Sequence, residues 1–273
     1  MPTYPGSRQI LRYLRLEQEY LADGGVRVRV PVLPDLLDAG GAMRLGAIAP
    51  ACDLAAGALS NREVAPDWVA TLDFKLHLAG PVTSGHVEAM GRVLRAGRNT
   101  VLSEMVLTDA LGAVVGRSYV TFSRLPRREG AAQNGGRVER PAVVSLAEPD
   151  REEPRIPLDE YLGLRFAPDH NGFELDHHPR IHNSFGSVQG GAMAALLERA
   201  ATLAGERAWG QPARTLDLHF SYAAQARNGP FLVRADPIRT DATSITSRVD
   251  LTDAGLNCRL AAVGTATAHL IEQ

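Results

Sequence analysis

A chain of 273 residues, 45% hydrophobic and 22% charged, has the composition of a folded globular protein and enough length for two ordinary domains. Its formal net charge of −2 gives no basic field for nucleic acid. Two cysteines, Cys52 and Cys258, make no disulfide framework, so a reducing cytoplasm is the expected location and both thiols read as small buried hydrophobes.

The N-terminal residues 1–25 alternate charge with apolar side chains and lack the apolar core of a secretory leader. Ile10, Leu11 and Leu14, with Arg8, Arg12 and Arg15 between them, predict a short amphipathic helix packed on a core. Residues 46–60 (GAIAPACDLAAGALS) read as an Ala-rich helix starting near Ala47, which would place Pro50 in its tolerated first turn. Alternating apolar runs follow at 71–80, 86–97, 99–109 and 113–125. Residues 126–156, rich in Pro, Gly, Arg and Glu, read as a linker, with 142–147 the stretch most able to be pinned locally. A second helix is expected over 190–209, apolar almost all round and therefore buried on most sides. Alternating runs return at 215–224, 231–240, 244–253 and 259–272. Turn signals between the runs favour antiparallel connections. No apolar run approaches the roughly 18 residues of a membrane span.

The two halves are copies. Thr71-Leu72-Asp73 recurs as Thr215-Leu216-Asp217, and Leu107-Thr108-Asp109-Ala110 as Leu251-Thr252-Asp253-Ala254, both 144 residues on. Residues 71–110 and 215–254 share 11 identities in 40 positions, where unrelated sequences would share about two or three. The expected organisation is an N-terminal domain 1–125, a linker 126–156 and a C-terminal domain 157–273. Each domain is one buried helix with a meandering antiparallel sheet, an α+β fold rather than α/β.

The chemistry-bearing stretch of the second copy runs Asn183-Ser184-Phe185-Gly186-Ser187-Val188-Gln189-Gly190-Gly191, followed by Glu198 on the helix. The first copy reads Asp38-Ala39-Gly40-Gly41-Ala42-Met43-Arg44-Leu45-Gly46, followed by Asp53. A carboxylate inside an Ala/Leu helix is unexpected unless paired or functional. The pattern N-x-x-G-x-x-(H/Q)-G-G-x6-(D/E) resembles the hotdog-fold thioesterases of the PaaI-like type. The resemblance implies two tandem hotdog domains, each an antiparallel sheet wrapped around a long central helix, hydrolysing acyl-CoA or acyl-carrier thioesters without a metal or other cofactor. It assigns catalytic roles to Asn183, Gly190 as oxyanion donor, and Glu198. It places Gln189 where the family has His, Thr215 and Thr71 on strands near the site, and Thr202 one turn after the acid. The first copy departs from it at Asp38, Arg44 and Leu45.

Gly190 and Glu198 lie about 12 Å apart along one helix, so they cannot serve one carbonyl. The resemblance implies sites at the interface of paired domains. One would join Asn183, Gln189 and Gly190 to Asp53 and Thr71. The other would join Asp38, Arg44 and the Leu45 amide to Glu198, Thr202 and Thr215, with Asp38 adding a second negative charge near Glu198. The first is favoured because its loop is intact, with Asp53 as nucleophile or general base.

Plainer readings compete at several residues. The glycines could form a tight loop before a helix, Glu198 could pair with Arg199 or Arg207, and Thr71 and Thr215 could be ordinary strand formers. Asp73 and Asp217 read as a shared structural hydrogen bond. His170, His177, His178 and His182 match no zinc spacing and read as surface or substrate-rim residues. Basic candidates for a CoA nucleotide are Arg92, Arg95, Arg98, Arg234 and Arg239. The leading expectation is an acyl-CoA thioesterase acting as a homodimer of double-domain chains. The alternatives are a non-catalytic acyl-CoA or lipid-binding protein and, third, a dehydratase, for which no D-x-x-x-x-H pattern appears at either helix start.

Overall fold

The structure, a computed structural model, describes residues 6, 8–127, 142–147, 155–168 and 171–271. His170 and much of the 126–156 segment lie outside the described residues. The chain opens with helix α1 (Ile10–Tyr13) and strands β1 (Glu17–Tyr20) and β2 (Val26–Pro31). Helix α2 (Leu45–Glu63) leads to strands β3 (Trp68–Leu78), β4 (His86–Ala96), β5 (Thr100–Asp109) and β6 (Val114–Leu125). Strand β7 (Ala142–Ser145) and helix α3 (Leu158–Leu162) precede the short strands β8 (Arg165–Phe166) and β9 (Phe173–Leu175). Helix α4 (Gly190–Trp209) is followed by β10 (Ala213–Tyr222), β11 (Phe231–Thr240), β12 (Ser244–Asp253) and β13 (Arg259–Leu270).

Among the described residues the strands form one sheet in the order β7-β1-β2-β4-β5-β6-β3-β10-β13-β12-β11-β9-β8. All pairings are antiparallel. The order reads symmetrically outward from the β3–β10 seam. Phe74 pairs with Phe220 and Leu76 with Leu218 across it, and the two Phe rings stack at 5.5 Å. Both seam strands slip register at the same place against their inner neighbours, between Thr71 and Asp73 and between Thr215 and Asp217. A bulge re-aims the side chains around it, and here the bulges accompany a threonine directed at a helix in each half. Asp73 and Asp217, past the bulges, pair with His219 and His77 across the seam at 2.8 Å each. Both pairs are partly or well exposed, as structural links rather than site groups.

Helix α2 lies against β2 to β6, and α4 against β10 to β13. The two helices pack on each other in opposite directions, Gly46 against Ala195 and Gly191 against Pro50. A Cβ on Gly191 would stand 2.3 Å from the Pro50 Cα, so only glycine permits this approach. The helix begins at Leu45, earlier than its composition suggests, and Pro50 therefore falls in the second turn rather than the first. The core takes Ile10, Leu11 and Leu14 of the N-terminal segment, all fully buried. Cys52 is buried as expected, but Cys258 is exposed, in a tight turn where Asn257 and Cys258 both adopt positive φ.

Candidate active site

The segment before α4 is shaped by Asn183. Its Oδ1 accepts the N–H groups of Phe185 (2.9 Å) and Ser187 (3.1 Å) and the Ser187 hydroxyl (3.3 Å). Gly186 turns the loop at φ +75°, a conformation side-chain-bearing residues rarely adopt. The first-half loop has the same shape with Asp38 in the organising place: its Oδ1 accepts Gly40 N–H (2.8 Å) and Ala42 N–H (3.2 Å). The Asn183 carboxamide oxygen is thus committed to the loop. That leaves its Nδ2 to face the two cavities that Asn183 lines.

Gln189 caps α4. Its Oε1 accepts the Ala192 N–H at 2.8 Å, which fixes the amide orientation and aims Nε2 at Asp53 Oδ2, 2.5 Å away. Thr71, placed by the β3 bulge, donates to Asp53 Oδ1 at 2.9 Å. The Gly191 N–H adds a third donor. The Gly190 N–H is the first of the helix and has no intrahelical acceptor. A Cβ on Gly190 would sit 2.4 Å from Asp53 Oδ1 and 2.6 Å from Thr71 Oγ1. Asp53, Thr71, Gln189 and Gly190 therefore converge from both halves of the chain on one point. Asp53 is 7% exposed. Burial pushes its carboxyl up to about 6, against the pull of the Thr71 and Gly191 hydrogen bonds.

Two cavities meet at this point. One, of about 510 Å³, is lined by Leu54, Trp68, Phe122 and Leu146 among others and reaches Asp53, Gln189 and Gly190. The other, of about 230 Å³, runs past Thr71, Asn183 and Gly190 to Tyr222 and Gln225. Phe185 borders both and stands edge-on to Trp68 at 5.9 Å. Burial, and then the charge of Asp53, raises the Tyr222 phenol well above its ordinary range, so it stays a neutral donor. Tyr222, Trp68 and Phe185 were not foreseen. The signal for them is divergence between the copies, since their counterparts at offsets 144, 144 and 145 are Leu78, Pro212 and Gly40. None of Arg92, Arg95, Arg98, Arg234 and Arg239 lines either cavity. Arg92 and Arg239 are engaged by Glu104 and Asp241 instead.

The pseudo-equivalent site is built around an ion cluster that borders a small cavity of about 160 Å³. Glu198 is 2% exposed, and its partner is Arg44, at 3.0 Å, rather than Arg199 or Arg207. Arg44 also binds Asp159 of α3 at 2.7 Å, and Asp159 binds Arg199 at 2.7 Å, which continues to Glu206 at 2.9 Å. Burial works against the Arg44 cation, but Glu198 and Asp159 outweigh it and its pKa is raised. Burial likewise opposes the Asp159 anion, and Arg44 and Arg199 outweigh that to lower its pKa. Thr202 donates to Glu198 Oε1 at 3.2 Å and shares a hydrogen bond with Thr215 at 2.8 Å. Asp38 does not bring a second bare charge to Glu198, because Arg214 holds it in a two-pronged pair. Glu198, Thr202 and Thr215 therefore come together, with the Arg44 guanidinium paired to the carboxylate.

Among the described residues no group of three or more His, Cys, Asp or Glu is arranged to hold an ion. The rings of His177 and His182 lie 4.0 Å apart, tilted by 33°. Burial, then His177 and His178, push His182 down to about 4.

Residues 178–269 match the family model of the acyl-CoA thioesterase N-terminal domain. A protein of Thermoplasma acidophilum classed provisionally as an esterase is 24% identical over 112 residues, 41% of this chain and 85% of its own. A hot dog fold protein of unknown function from Alicyclobacillus acidocaldarius superposes with a TM-score of 0.61 at 13% identity, covering 97% of this chain and 98% of that one. An acyl-ACP thioesterase from Bacteroides thetaiotaomicron superposes with a TM-score of 0.56 at 11% identity, covering 90% and 97%. The chain has the hotdog fold. The matches support a thioester hydrolase in general terms, and among the described residues no helix is long and apolar enough to cross a membrane.

Two consequences of the site are measurable. Above about pH 6 the folded Asp53 is ionised and able to accept a proton, so kcat/KM for hydrolysis should rise through about pH 6 and level off. A rate profile flat between pH 5 and 8 would contradict Asp53 as the base. Gly190→Ala would drive a methyl into the Asp53 and Thr71 oxygens, and a displacement of about 1 Å there should cost roughly 100-fold in kcat. Steady-state kinetics of a folded Gly190→Ala protein reads this directly.

Proposed function

We propose that this protein is an acyl-CoA thioesterase of two tandem, PaaI-like hotdog domains, with a single working site built from both. The carrying observation is the buried Asp53 carboxylate, held by Thr71 and Gln189 beside the N-terminus of α4, at the junction of the two cavities. On this reading the thioester carbonyl oxygen points at the Gly190 N–H, where the helix dipole favours the developing oxyanion. Asp53 takes a proton from water as the water attacks the carbonyl carbon. The tetrahedral intermediate then collapses, the C–S bond breaks, and the Asp53 carboxylic acid returns the proton to the departing thiolate. A carboxyl of pKa about 6 serves both steps near neutral pH. The larger cavity takes the acyl group and the smaller one leads toward the thiol-bearing arm.

Domain limits of 1–125 and 157–273 belong to the same reading, supported by the repeated order of helix and strands. Strand β7 within the intervening segment pairs with β1 and supplies Val144 to the larger cavity, which Leu146 just after it also lines. Pairing of two chains into a homodimer and a cytoplasmic location are further parts of the proposal. A binding protein without catalysis is the second reading. It rests on the same carboxylate, since three donors brace Asp53 as they would a purely structural group. The test is thiol release from short, medium, long, phenylacetyl and benzoyl-CoA. Release supports hydrolysis; tight calorimetric binding without release selects the second reading.

A further inference from the structure

Strand β1 alternates between two environments. Glu17 and Glu19 face outward, bound to Arg29 and Arg27. Gln18 and Tyr20 take the opposite face. There Gln18 lies directly between Val28 of β2 and Val144 of β7, on a wall whose β2 residues Val26, Val28 and Val30 are fully buried and apolar. A valine or leucine would continue that pattern. Instead Gln18 is 6% exposed and lines the 510 Å³ cavity, as does Tyr20. Among the described residues neither the Gln18 carboxamide nor the Tyr20 hydroxyl has a hydrogen-bond partner. Buried polar groups are almost always satisfied, and an amide left open toward a cavity is satisfied by what enters it.

The position of Gln18 along the cavity follows from the strand. Ahead of β1, at the start of α1, Gln9 Nε2 donates to the His182 carbonyl at 3.1 Å, beside the loop that carries Asn183. Just after β1, Arg62 near the far end of α2 donates to the Gly24 carbonyl. Between these ends the cavity floor is one face of α2, with Asp53, Leu54, Gly57, Ala58 and Asn61 at successive turns. Asp53 and Asn61 are about 12 Å apart along the helix axis. Gln18 therefore stands partway down the cavity and Tyr20 deeper. No lysine or arginine is among the described residues lining it, which disfavours an acyl carboxylate.

The geometry points to a substrate whose acyl group carries a hydrogen-bonding oxygen, a hydroxyl or an oxo group, in its middle or distal part, received by the Gln18 carboxamide with Tyr20 beyond it. This assignment rests on the thioesterase reading for its reaction but not for its recognition. Either group of the amide can meet a hydroxyl, and its N–H can meet an oxo oxygen. Gln18 is a specificity residue, remote from the reacting carbonyl.

The experiment compares kcat/KM for octanoyl-CoA with a series of hydroxyoctanoyl-CoAs in which the hydroxyl moves along the chain. The wild type is expected to favour one hydroxyl position by about tenfold, the scale of one net hydrogen bond. Gln18→Leu should abolish or reverse that ratio by losing the hydroxylated substrate and gaining the plain one. Gln18→Met, which keeps the side-chain length, replaces it should the leucine variant fail to fold. A ratio near one at every position, or one that Gln18→Leu leaves unchanged, overturns the assignment. If no thioester is turned over, the hydrolase reading fails separately. Calorimetry with free octanoic and hydroxyoctanoic acids on the wild type and Gln18→Leu then decides the Gln18 assignment by the same ratio.

Discussion

Asp53→Asn should lower kcat for thiol release by about 10²- to 10⁴-fold, the span expected when a general base is removed. The same change should raise stability at pH 7 to 8. Burial lifts the folded pKa of Asp53 to about 6 from an unfolded value near 4. Between those values the folded state holds a proton that the unfolded state has lost, so stability falls as pH rises from about 4 to about 6. The ionised carboxylate then costs the fold about 3 kcal/mol above pH 6. Asparagine keeps the shape and removes the charge. Denaturant melts across pH should therefore show the wild type losing stability over that window and the variant losing little of it. A variant that is inactive and less stable at pH 8 would point instead to a structural ion in the Asp53 position. The opposition between activity and stability is the signature of a group kept buried for chemistry.

The opposite signature is expected on the other side of the pseudo-symmetry. Arg44→Met leaves Glu198, 2% exposed, without its cation, and should destabilise the protein by about 3–5 kcal/mol. Turnover per folded molecule should stay near wild type, since neither Arg44 nor Glu198 lines the cavities at Asp53. Replacing both, as Arg44→Met with Glu198→Gln, should recover much of the loss, because removing a buried pair together avoids the uncompensated charge. Asp159 remains bound by Arg199 in either variant. Chemical denaturation of the three proteins measures the coupling. An Arg44→Met protein as stable as wild type would show that the ion cluster adds nothing to the fold.

The contrast between the two sites explains which parts of the molecule were legible in the amino-acid sequence. Period-two alternation marked the long strands of both halves, and the Ala-rich runs marked α2 and α4, because these elements bury whole faces and their composition records it. The copy offset placed Asp53 opposite Glu198 and Thr71 opposite Thr215. Thr71 and Thr215 do reach Asp53 and Glu198 on the helices, each from a bulge that the shared Thr-Leu-Asp triplet carries. Less was legible where a residue's partner lies far away in the chain. Nothing local to Arg44 announces Glu198 and Asp159, 154 and 115 residues on. Asp38 read as a surplus charge because Arg214, 176 residues away, is invisible from its own loop. Short strands such as β7 and β8 are held by pairing rather than by pattern, and so escaped the periodicity. The loop motif singled out Asn183, Gln189 and Gly190, but not the three hydrogen bonds that the Asn183 oxygen accepts within its own loop. Cys258 read as buried by habit of residue type, whereas its turn, with two successive positive-φ residues, holds it at the surface.

The measurement that bears most directly on the central claim is thiol release from the acyl-CoA panel by wild type, Asp53→Asn and Glu198→Gln under identical conditions. The account predicts turnover by the wild type, its loss in Asp53→Asn, and its retention in folded Glu198→Gln. Turnover kept by Asp53→Asn and lost only in Glu198→Gln would move the chemistry to the Arg44 side and contradict the site proposed for this protein.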